Sequence, residues 1–160
     1  METNLYSFLN FAIYLVATVL YLMRVVTRNS NFSIVALRLV ALAFVCQIIH
    51  FLIQFTQNQT ALFANLQVYF YLSAMALAGI FVFLCFAKRY YSTGPFFIPL
   101  IDIFFILSLT YTGNEMPAQS LFLTVHLTSI FLSVSIFIVS LISAILFLIS
   151  EKQIKTKRFT

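Results

Sequence analysis

Five long apolar runs fill most of a 160-residue chain. They cover about 5–23, 32–55, 62–87, 95–111 and 120–149, with short polar stretches between them. Each run is close to the roughly 20 residues that an α-helix needs to cross a bilayer. Inside lipid the backbone must satisfy its own hydrogen bonds, and a helix does so within one segment. The runs therefore predict an all-α integral membrane protein with five transmembrane helices in one domain, 1–160. Composition agrees, with 62% hydrophobic and 8% charged residues and a mean hydropathy of +1.05. A soluble domain carries about 25% charged residues, and a small soluble fold leaves too much surface exposed to hide this many apolar side chains. An ordinary globular protein, a disordered chain and a nucleic-acid-binding domain are all excluded.

The first run, LYSFLNFAIYLVATVLYLM, has no basic segment before it and no small-residue cleavage site after it. It reads as a helix and not as a signal peptide. Ser-Thr-Gly-Pro opens the fourth helix, with proline where a helix start accepts it. Orientation follows from the nine basic residues. Arg24, Arg28 and Arg38 lie by the first connection, Lys88 and Arg89 by the third, and Lys152, Lys155, Lys157 and Arg158 in the tail. All fall on one side, which the positive-inside rule assigns to the cytoplasm. That places the N-terminus outside and the C-terminus inside, and it accounts for the net charge of +5 without a nucleic-acid partner.

Ionisable groups at membrane depth are costly and mark interior positions. Four stand out: Arg38, His50, Asp102 and His126. His50 precedes the outer end of helix two and His126 follows the outer start of helix five. At 1.5 Å per residue both lie roughly 8–9 Å below the outer surface. Gln47, His50 and Gln54 form one polar stripe. His126, Ser129, Ser133 and Ser140 form a second stripe of the kind that packs against other helices. Two readings stay open for the histidines: hydrogen bonds across helix contacts, or ligation of one haem iron from facing helices. Arg38 and Asp102, at matching cytoplasmic depth, form either a buried ion pair or a snorkelling arginine beside a separately bonded carboxyl. Tyr69, Tyr71, Tyr90 and Tyr91 read as interface anchors or packing. Cys46 and Cys85 sit in apolar runs as small hydrophobes. Without CxxC, CxxCH or a Cys/His cluster, a zinc site and covalently attached haem are excluded. The chain carries no nucleophile, acid–base pair or phosphate loop, so an enzyme is not expected.

The segment VHLTSIFLSVSIFIVSLISAILFLISEKQIKTKRF resembles the cytochrome c assembly family that includes CcsA, ResC and HemX. In that family a helix opens with a Leu-His or Val-His pair and ends in an apolar stretch with a basic tail. LRLVALAFVCQIIHFLIQF is similar to the family's second helix, and STGPFFIPLIDIFFIL to the Gly-x-Phe-x-x-Pro segment opening a later one. The resemblance covers the family's N-terminal half. The chain has no tryptophan, so the tryptophan-rich WWD loop has no counterpart here. The resemblance implies a membrane component of cytochrome c biogenesis that handles or presents haem b in a bacterial cytoplasmic (inner) membrane. His126 would be an outward-facing ligand and His50 a weaker candidate. It also implies a second membrane protein supplying the C-terminal helices that carry the partner histidine. Two other classes stay open: a non-catalytic accessory or anchoring subunit of a larger membrane complex, and half of a small transporter with a hydrated polar path.

Overall fold

Sequence of this kind forms helices wherever lipid withholds water from the backbone, and in the computed structural model the described residues, 2–57, 63, 65–88, 93–111 and 121–157, are almost wholly helical. The helices are α1 (Glu2–Thr27), α2 (Ser30–Gln57), α3 (Leu66–Lys88), α4 (Gly94–Thr110) and α5 (Leu121–Lys157). Of the expected connections, 56–57 belong to α2, while 58–60 and 112–119, with Arg89, Tyr90, Tyr91 and Arg158, lie outside the described residues.

Helix ends follow local chemistry. α1 stops at Arg28, which adopts the left-handed conformation at φ 55°. Its amide donates to the Arg24 carbonyl at 2.8 Å. Asn29 then caps α2 by accepting from the Asn31 amide at 3.0 Å, and Asn65 caps α3 by accepting from Gln67 at 2.9 Å. α5 runs past the expected 149 into the basic tail. There Glu151 and Lys155 pair at 2.6 Å in the i, i+4 order that supports a helix.

Among the described residues, four helices are long and apolar enough to cross a membrane: α1, α2, α3 and α5. α4, at 17 residues, spans about 25 Å, short of a hydrocarbon core of about 30 Å. It nevertheless runs beside its neighbours along its whole length. Its Phe97 meets Phe81 and its Tyr111 side meets Phe70, so α4 is antiparallel to α3. Asp102 meets Thr18 and Phe105 meets Phe11, so it is antiparallel to α1 as well.

α1, α2, α3 and α4 make a four-cornered bundle in which α1 packs on α2 and α4, and α3 packs on the same two. α2 and α4 occupy opposite corners. α5 lies outside, against α3. Alanines at 17, 36, 43, 74 and 78 are fully buried and let the backbones approach. Phe105 is the hub of the core, with ring centroids 5.8 Å from Tyr14 and 5.4 Å from Tyr71. A Cβ on Gly94 would run into the Tyr21 ring, so only glycine permits this approach of α1 to α4. Large apolar side chains on the outside of every helix are exposed, the arrangement expected of a lipid-facing surface.

Candidate functional site

Two groups of polar residues meet across helices inside the bundle. In the first, the α2 stripe turns inward as expected, with Gln47 wholly buried. Tyr14 donates to Gln47 Oε1 at 2.9 Å, and Gln47 Nε2 donates to the Tyr71 carbonyl at 3.3 Å. The Tyr71 hydroxyl donates to the Gln47 carbonyl at 3.1 Å and lies 3.2 Å from His50 Nδ1. A phenol has one proton, and here the carbonyl takes it. The arrangement that makes both bonds has His50 donating from Nδ1–H to the Tyr71 oxygen. His50 Nε2 then carries the bare lone pair, and that buried atom has no partner. The Tyr6 ring lies 6.2 Å from the imidazole on its other side.

In the second group, Thr18 donates to Asp102 Oδ2 at 2.6 Å, and Asp102 Oδ1 has no partner. The expected ion pair with Arg38 is not made. Arg38 is exposed on α2, at the corner of the bundle opposite α4, whereas Asp102 is buried. Depth along the sequence matched, but the bundle puts α1 and α3 between these two helices.

The two histidines are not brought together either. His126 is exposed on α5 and stacks on Phe122 of its own helix, with centroids 6.3 Å apart and planes 1° from parallel. His50 lies against α1 and α3. The serine stripe of α5 also faces away from the bundle: Ser129, Ser133 and Ser140 are exposed and bond back to the carbonyls of Val125, Ser129 and Ile136. Hydroxyls satisfied by their own helix need no partner, so packing is decided by size and shape. Phe131 wins that contest, seated 5.5 Å from Tyr69 and 5.4 Å from Phe70, with Ser135 and Ile142 buried on the same side. Among the described residues, no group of three or more His, Cys, Asp or Glu is placed to hold a metal ion.

Tyr6, Asn10, Tyr14 and Thr18 were not singled out above. They recur every four residues on α1 and so share a face. That spacing was the available signal, hidden because tyrosine in a membrane helix also reads as an interface anchor.

A helical bundle with lipid-facing apolar surfaces and a small buried polar network defines a multi-pass membrane protein. No protein-family model, curated protein or solved structure matches the chain.

Proposed function

We propose that this chain is a five-span component of the bacterial cytoplasmic membrane, N-terminus outside, that handles or presents haem during cytochrome c biogenesis with a second membrane protein. The observation that carries the reading is the setting of His126. The histidine at the head of the family-like segment stands exposed on the outer face of α5 and is not consumed by the bundle. An imidazole beside an aromatic ring and apolar neighbours suits one axial position on haem. The site supplies half of a ligand pair, because His50 points into a different part of the molecule. A partner surface must complete it. Haem is the cargo here, and the residues of this chain hold and orient it.

The basic residues support five crossings. With α4 crossing, all nine lie at one end; without it, the tail would sit opposite Arg24 and Arg28.

The test is complementation in the source organism. Deleting the gene should deplete covalently haem-bearing c-type cytochromes on a peroxidase-stained gel. The wild-type chain should restore them, and His126→Ala should not, at equal membrane abundance. Unchanged cytochromes after deletion would exclude the reading and leave an accessory subunit of another complex.

A further inference from the structure

Near the outer end of the bundle, a cleft of about 550 Å³ opens between α1 and α2. Its walls are largely apolar, with Leu9, Ile13 and Ile53 among them, and they carry Tyr6, Asn10, His50, Gln54 and Gln57 as polar groups. Among the described residues, no Lys, Arg, Asp or Glu lines it. Two buried acceptors stand unpartnered there: His50 Nε2 and the carboxamide oxygen of Asn10, a residue only 5% exposed. A buried polar atom without a partner costs about 1–3 kcal/mol, so two in one cleft call for a ligand that donates. The tautomer imposed by Tyr71 makes the preference sharper, because His50 Nε2 can accept a proton bond and cannot offer one.

We propose that this cleft binds a membrane-dissolved quinol, its hydroxyl donating to His50 Nε2, Asn10 taking the second polar contact and Tyr6 flanking the ring. Each property of the site selects for that class. The apolar walls suit a ligand arriving from the lipid with a hydrocarbon tail. The lack of cationic groups disfavours a phosphate-bearing headgroup. His50 Nε2, which only accepts, favours at its own position the reduced, hydroxyl-bearing form over the oxidised quinone, whose carbonyls also only accept. The Tyr14–Gln47–Tyr71–His50 chain of hydrogen bonds holds the imidazole in the receiving orientation. The inference is independent of the haem reading, which rests on His126.

Equilibrium dialysis of the purified full chain in lipid nanodiscs tests it, with decylubiquinol kept reduced under argon as the probe. Saturable binding is expected, with decylubiquinone about tenfold weaker, the equivalent of one buried hydrogen bond. His50→Ala and Asn10→Leu should each weaken binding by about tenfold. Ile49→Trp alters a wall residue that is 52% exposed, so it should fill the cleft and abolish binding without disturbing the core. Ser140→Ala, on the far side of α5, should bind as wild type. If His50→Ala does not fold, Asn10→Leu and Ile49→Trp decide. Absence of saturable binding, equal affinity for the quinone, equal displacement by dioleoylglycerol, or binding that survives Ile49→Trp would overturn the proposal. So would a haem absorption band in the purified chain that His50→Ala removes, since it would assign the cleft to haem. Cytochrome c yield does not enter this readout, so failure of either proposal leaves the other standing.

Discussion

Asp102 is held by one threonine hydroxyl, and this fixes what each neighbour is worth. Thr18→Val removes the donor and leaves a buried carboxyl with neither oxygen bonded. It should cost about 1–3 kcal/mol, seen as a lower unfolding midpoint in detergent by circular dichroism. Arg38→Gln should stay within about 0.5 kcal/mol of wild type, the range for exposed positions away from special contacts. Equal, large losses in both variants would restore the ion pair. At the other polar group, Tyr71→Phe removes the hydroxyl that both bonds the Gln47 carbonyl and receives the His50 proton. It should destabilise by a similar amount, about 1–3 kcal/mol, and release the imidazole to either tautomer.

Helix junctions in this chain depend on backbone geometry at single positions. Gly94 opens α4 against the ring of Tyr21, a residue with no exposed surface. A methyl group there has nowhere to go unless α1 and α4 separate. Gly94→Ala should therefore lower stability by about 1–3 kcal/mol, the usual cost of overpacking. At Gly79 the nearest atom to an added Cβ is the end of the Phe44 ring, at 3.0 Å. That ring can yield, so Gly79→Ala should cost clearly less, and thermal unfolding of the two variants side by side checks the order. Arg28 holds the left-handed turn between α1 and α2. A β-branched residue is a true outlier in that region, so Arg28→Val should lower the unfolding midpoint while Arg28→Gly should not.

The bundle as a whole stands or falls on whether α4 crosses. In a background with Cys46→Ala and Cys85→Ala, single cysteines report the sidedness of each end. Gln57→Cys and Asn114→Cys should react with an impermeant maleimide in intact cells. Asn29→Cys and Lys155→Cys should react only after permeabilisation. If α4 stayed on one side, Lys155→Cys would instead label from outside with Gln57→Cys, and the five-span topology would be lost. α5 has a separate exposure. Only its Tyr69-facing side is seated, and its 37 residues extend about 55 Å, beyond any bilayer core. Its basic end therefore projects from the membrane.

Sequence by itself determined the helices and the solvent they face. Apolar runs of this length leave the backbone no alternative in lipid, so the helix positions could be read directly. Gln47 and His50 were also legible, because polar side chains three to seven residues apart in a lipid-facing helix must find an interior. Sequence did not determine which helix meets which. Arg38 and Asp102 share a depth, as do His50 and His126, yet depth is one coordinate and contact needs three. Only the tertiary structure decided that Thr18 reaches Asp102, that Tyr71 reaches His50, and that the serines of α5 turn outward. The physical reason is that helices in lipid gain little from burying polar groups that their own backbone already satisfies. They pack by shape, and shape here is set by alanines, two glycines and a few aromatic rings whose partners lie tens of residues away in the chain.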